Sequence, residues 1–273
     1  MSRHLLLTLS TLVLAGCAGA GGPTYEFGPS EAPLRYALDD QGTLLVETPV
    51  GEQRSTDSTV ATLVFNIGGG EAGGHRVTVT FEALEVWAGG DFQQEHFEGG
   101  DLLAKPFTGT LADDGSITVT AAPEIAARLE EVANPNALFS YLLPPLPPGG
   151  DERTEAWAHT RTETSEAEMT VETFYEGTAS FAGDTTWNGT AARVIVSQET
   201  VTSMGHGTPA GSPGAIEFTM HGKATTRYVW DPQGAVMLAS SSTTELAGEL
   251  EVIGMAMTMP VSYHGRRDVW LKR

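Results

Sequence analysis

The sequence predicts a mainly β protein: long antiparallel strands in a curved, twisted sheet or an open barrel or sandwich, with one short helix near 123–133. Three observations carry this. Apolar and polar residues alternate over long runs, most clearly from Ile216 through Phe218, Met220, Ala224 and Tyr228 to Trp230. A period of two puts one residue set on each face of a strand. Asp/Asn–Gly clusters punctuate the runs where hairpins would turn. Only one segment carries a helical period instead. Fifteen residues at about 3.3 Å each make roughly 50 Å of strand, against a usual ~20 Å. Strands of that length with unlike faces belong to a strongly twisted sheet whose apolar side must be covered.

The first ordered unit reads as a hairpin, Leu34–Leu38 and Thr43–Glu47 around a turn at Asp39-Asp40-Gln41-Gly42. Ala61, Leu63, Phe65 and Ile67 share one face of the next strand, which ends in a glycine-rich loop through Gly74. From His75 to Trp87, Val77, Val79 and Phe81 alternate, and the phase flips at Leu84 and Val86, as a bulge would require. Gly89–Asp101 is polar and irregular. Leu102–Thr110 and Ser116–Thr120 flank Asp113-Asp114-Gly115, a second hairpin signal. Pro123 suits a helical first turn, Ile125, Leu129 and Val132 form one stripe, and Asn134-Pro135 ends it. The four prolines of Leu142–Gly150 exclude a central strand and read as a stiff connection.

Beyond it, Met169, Val171, Tyr175, Ala179 and Phe181 alternate with polar residues, and Asp184–Gly189 turns the chain. Ala192, Val194 and Val196 continue as the apolar parity of the next strand. Asp231-Pro232-Gln233-Gly234 turns the chain out of the long run that ends at Trp230. The last strands carry Leu246, Leu250 and Val252, then Met255, Met257, Met259, Val261 and Tyr263. The organisation expected is a first β half at 33–143, a connection at 144–150 and a second half at 151–273, either separate or continuous.

Ahead of this domain stand Arg3, the apolar run Leu5–Leu14, small residues Ala15 and Gly16, and Cys17, the one cysteine. The apolar run is too short to span a bilayer comfortably. Leu14-Ala15-Gly16-Cys17 resembles the lipobox of bacterial lipoproteins. The resemblance implies a signal peptide at 1–16, cleavage before Cys17, and a diacylglycerol on its thiol. Each buried methylene of such an anchor contributes about 0.8 kcal/mol, so several chains hold far more firmly than one. Ala18 and Gly19 follow where an aspartate would imply inner-membrane retention, so the expected location is the outer membrane. Residues 17–32, rich in Gly and Pro, read as the lipidated cysteine and a flexible tether.

The net charge is −20, from 35 acidic and 15 basic residues. Such a surface repels phosphates, which argues against nucleic acid and against electrostatic docking on anionic lipid. With Cys17 acylated, no thiol remains for a disulfide, a thiolate metal site or a nucleophile.

The later half is also similar to β-rich bacterial lipoprotein families of unknown function. The segments that carry this are Leu146-Pro147-Pro148-Gly149-Gly150-Asp151, Trp157, the turn at Gly183–Gly189 before Ala191–Ile195, and Tyr228–Gly234. It implies a fold and no activity.

Chemistry-bearing motifs are sparse. No histidine pair has the HxxxH or HExxH spacing of a helical zinc site, and GxSxG and P-loop motifs are absent. Asp91, Glu95, His96, Glu98 and Asp101 form the densest set of hard ligands, in a glycine-rich stretch that reads as a solvated loop or a weak cation site. Met255, Met257 and Met259 project from one face, as core packing, pocket lining or soft ligands for copper. No cofactor is expected. The sequence predicts a non-catalytic envelope protein that binds a lipid or other apolar molecule, with Phe218, Tyr228, Trp230, Met255, Met257 and Met259 as pocket candidates. A compact core with no pocket beyond about 300 Å³ would remove the basis of that reading. The alternatives are a structural lipoprotein with a filled core that binds another envelope protein, and a metal-dependent envelope enzyme.

Overall fold

The computed structural model describes residues 25–71, 74–90, 94–112, 115–125, 138–139, 142–166, 169–209, 214–255 and 257–272. Alternation over long runs gives twelve strands: β1 (Leu34–Thr48), β2 (Gly51–Glu71), β3 (Gly74–Gly90), β4 (Gln94–Glu98), β5 (Phe107–Leu111), β6 (Ile117–Ala121), β7 (Ala156–Glu166), β8 (Met169–Trp187), β9 (Thr190–Gly207), β10 (Ile216–Asp231), β11 (Val236–Val252) and β12 (Met257–Lys272). They form one antiparallel sheet in the order β6-β5-β3-β2-β1-β12-β11-β10-β9-β8-β7, with β4 beside β5 on the free edge of β3. Most neighbours are joined by hairpins. The exception that matters is β1 with β12, where Tyr36 lies opposite Leu271 and Asp40 opposite Arg267. This pairing joins the two sequence halves into a single sheet.

The sheet stays open, with β6 and β7 as its ends, and it is strongly curved. Five strand spacings separate β7 from β12, about 24 Å in a flat sheet. Yet Arg161 and Glu163 of β7 line the same cavity as Arg267 of β12 and Asp40 of β1. The concave face is therefore the interior, and the apolar parity of most strands points into it.

Several local signals behave as their chemistry requires. The phase flip in β3 is a bulge: Thr62 pairs with Ala83 and Leu63 with Phe81, leaving Glu82 extra. Asn188 and Gly189, at φ 46° and 84°, close the β8–β9 hairpin. Asp231 Oδ1 accepts from the amides of Gln233 and Gly234 in the β10–β11 turn.

Others differ. The turn expected at Asp39–Gly42 is absent: β1 runs straight through it, and the chain reverses at Pro49-Val50 instead. Gly42 serves close approach. It faces Gly265 across the β1–β12 pair, and the Asp57 carboxylate occupies the space a Cβ would take. In β9, Ala192 faces outward into a small cluster with Val229, Leu238 and Ala239, and Val194, opposite Val229, shares that face, while Ile195, Ser197, Glu199 and Val201 have the other parity and point inward. The helix expected near 123–133 lies outside the described residues from 126 on; Pro123–Ile125 have no regular structure, and Leu138-Phe139, beyond its expected end, are helical.

One end of the concave face is filled by segments outside the sheet. Phe139 packs on Phe81 and Phe107 at 5.8 and 5.0 Å, and Leu142, Leu143 and Leu146 are buried beside it. The proline-rich connection is thus also a lid over the core. Tyr25 and Phe27, from the stretch expected as tether, are buried too. Phe27 meets Trp230 edge-on at 5.4 Å, and Tyr25 lies 4.7 Å from Phe181. Arg193 locks Tyr25 in place by donating to its hydroxyl at 3.0 Å while stacking over Phe181.

Candidate functional site

Along the strand axis the interior has three layers. The first, beside Tyr25, is the filled apolar core just described. The last is a smaller apolar cluster of Val201, Met220, Ala224, Leu246 and Val261, flanked by Phe218 and Tyr263. Between them runs a polar belt. A cavity of about 290 Å³ lies where the belt meets the last layer. Val171, Phe218, Met220 and Leu246 form its apolar side, and Asp40, Arg161, Glu163, Tyr175 and Arg267 line its polar side.

The belt is built from positions that follow the apolar parity of their strands but carry charge. Arg161 Nη2 donates to Glu199 at 2.9 Å, and the guanidinium stacks 4.3 Å from the Tyr175 ring centre. The Glu199 side chain is 1% exposed, so a paired cation is a condition of its burial. Arg267 donates to Asp40. Glu163 hydrogen-bonds the Tyr175 hydroxyl through its side chain, and its Oε1 is buried with no hydrogen-bond partner among the described residues. Burial pushes the Glu163 carboxyl well above the usual carboxylate range, opposed by Arg267. Asp57 is raised to about 6, by burial first and by the neighbouring Asp40 second. One guanidinium, Arg267, therefore faces three carboxyls, those of Asp40, Asp57 and Glu163.

His159 Nε2 lies 2.8 Å from Ser197 Oγ, and its Nδ1 lies 3.7 Å from Glu199. These are the contacts of a Ser–His–acid relay. Ser197 is 1% exposed and does not line the cavity, so a substrate carbonyl has no approach to its hydroxyl. His159 lies beside Glu199 Oε1, while Arg161 donates to Oε2.

The residues singled out from sequence separate. Phe218 lines the cavity. Tyr228 and Trp230 are fully buried in the filled core. Met259 is buried and Met257 half-buried, while Met255 lies exposed in the β11–β12 turn. None of the three methionines lines the cavity described above. Of the hard-ligand set, Asp91 lies outside the described residues. Glu95 and His96 are neighbours in β4 and point to opposite faces, and His96 stacks on Trp87 at 5.0 Å. Asp101 stands in a 3-10 turn, Gly100–Leu102. Among the described residues no group of three His, Cys, Asp or Glu is arranged to hold a metal ion. Cys17 lies outside the described residues.

Sequence reasoning missed β7 and with it Arg161 and Glu163. Its inward parity reads Trp157, His159, Arg161, Glu163, Ser165, so hydrophobicity does not alternate. The available signal was the other parity, Thr160, Thr162 and Thr164, a β-branched row suited to a solvated strand face. An open groove of about 440 Å³ lies between Thr43, Arg54, Glu245 and His264. Its Glu245 and His264 side chains stand largely in water and fix no ligand.

No family model matches the chain, and no curated protein does. Among solved structures the chain is similar to a lipovitellin chain described for its lipid–protein interactions, with a TM-score of 0.43 and 12% identity over 91% of this chain and 25% of that one. It thus spans a quarter of that chain's length. DynF, from the dynemicin biosynthesis pathway of Micromonospora chersina, gives 0.27 and 10% over 93% of this chain and 88% of that one. OmpT, an outer membrane protein of Vibrio cholerae, gives 0.19 and 10% over 88% and 99%. At these TM-scores the likenesses decide neither ligand nor activity.

Proposed function

We infer that this is a lipid-anchored cell-envelope protein, non-catalytic, whose curved sheet holds one small amphiphile. The observation that carries the binding reading is the 290 Å³ cavity with an apolar wall on one side and a buried polar belt on the other. Ligand sites are concave, largely apolar and oriented by a few fixed polar groups. This volume stands at the lower edge of such sites. At about 30 Å³ for each water-sized group it takes roughly ten non-hydrogen atoms, a single short chain rather than a two-chain lipid.

The anchoring reading is supported by the order of charge, apolar run, small residues and Cys17. Cells fed labelled palmitate are expected to incorporate it into the wild-type chain and not into Cys17→Ser. Label retained by the variant would remove the anchor.

The binding reading is tested by native mass spectrometry on the full chain carrying Cys17→Ser, purified without detergent. A co-purifying small mass, lost in Met220→Glu at unchanged secondary structure, is the expected result. A bare polypeptide mass that also stays bare after incubation with single-chain amphiphiles would turn the conclusion to a filled scaffold that binds another envelope protein.

A further inference from the structure

We propose that the cavity selects its ligand by a protonated amine, seated against Glu163 with its alkyl part along Phe218, Met220 and Leu246. The proposal rests on the reading of the cavity as an amphiphile site and names the chemistry of the head group.

The charge arrangement argues for a cation. Each arginine on the cavity wall already has a carboxylate: Arg161 has Glu199, Arg267 has Asp40, and Arg266 has Asp268 at 2.8 Å. Glu163 and Asp57 face Arg267 as well, and among the described residues that guanidinium is shared with Asp40, which it pairs directly. The interior is thus short of positive charge around Glu163. A buried carboxyl in that position either keeps its proton or recruits a cation.

The geometry supplies an acceptor. Glu163 Oε1 is out of water, unpartnered among the described residues, and belongs to a cavity-lining side chain. Tyr175, whose hydroxyl bonds Glu163, holds the carboxyl in position, and Arg161 over the Tyr175 ring holds the tyrosine. An ammonium has three donors and no acceptor, so it completes Glu163 Oε1 and has further donors for hydroxyls that line the cavity, such as those of Ser242 and Thr226. A carboxylate or phosphate head would instead add an anion beside Glu163 and Asp40, where the arginines already hold carboxylates.

The test compares three ligands of matched length against the full chain carrying Cys17→Ser, at pH 7.5 by calorimetry: decylammonium, decan-1-ol and decanoate. Decylammonium is expected to bind at least about tenfold more tightly than either of the others. E163Q, which keeps the side-chain shape, is expected to remove that preference. Should E163Q fail to fold, the wild-type ranking decides alone. Decanoate binding as tightly as decylammonium, equal affinity for all three, or a preference that survives in E163Q would overturn the amine assignment while leaving the amphiphile reading intact. Absence of binding by all three up to about 1 mM, a free energy near −4 kcal/mol, would overturn both.

Discussion

Asp57 shows how one residue can set a trade between stability and chemistry. Its carboxyl sits over Gly42, beside Asp40, within reach of Arg267 and Tyr263, and burial raises it to about 6 from 3.8. A carboxyl raised in the folded state binds its proton more tightly there than in the unfolded chain. Its stabilising contribution is therefore complete below pH 4 and is lost as pH rises toward 6, by on the order of 3 kcal/mol. Glu163 shifts in the same direction. Asp57→Asn keeps the shape and removes the ionisation, so it should melt higher than wild type at pH 7.5 and alike at pH 4. Thermal scans across that window check it, and equal melting temperatures throughout would mean that Asp57 is not buried as described. At this scale the sequence was legible in part. Asp40 and Gly42 carry the composition of a turn, and only Arg267, 227 positions away, makes Asp40 a strand residue.

At the scale of elements, β9 and β10 show the same dependence on a neighbour. Phe218 lies opposite Gly205, and its ring fills the place where a side chain on Gly205 would stand. A glycine weakens a strand by itself, and an aromatic laid across it restores the packing. Gly205→Val would force the ring off this seat and toward the cavity wall it already lines. The expected outcome is at least about a tenfold loss of decylammonium affinity with the strand content kept, read by calorimetry and far-ultraviolet circular dichroism. Unchanged affinity would show that Phe218 does not border the bound chain. The parity of β10 made Phe218 a pocket candidate from sequence, whereas β7 was invisible because its inward residues are polar. Hydrophobic alternation finds strands that face a dry core and passes over those that face a buried polar belt.

At the scale of the whole molecule, the pairing of β1 with β12 decides the organisation. It seals the second half on its open side and brings Asp40 to Arg267. Residues 151–273 expressed alone would expose the whole β12 edge and lose Tyr25, Phe27, Tyr36 and Leu38 from the core. That fragment is expected to aggregate, while the full chain unfolds in one transition. A soluble, cooperatively folding fragment, tested by gel filtration and thermal melting, would show that the halves are independent domains. Burial of Tyr25 also bears on the anchor. Were Cys17 acylated as proposed, the eight Cα–Cα steps from it to Tyr25 would reach at most about 29 Å and hold the sheet close to the bilayer.

The sequence by itself determined the class of fold, the length of the strands, the bulge in β3, the hairpins at Asn188-Gly189 and Asp231–Gly234, and the segment that resembles a lipobox. All of these depend on residues within a few positions of one another, where side-chain period and turn geometry act locally. Only the tertiary structure decided that Tyr228 and Trp230 are core, that Ala192 and Val194 face outward, and that Asp40, Arg161, Glu163, Glu199 and Arg267 meet in one belt. Curvature brings strands five places apart around a common space, and a charge on an apolar parity becomes intelligible only when its partner arrives from the far side of that curve.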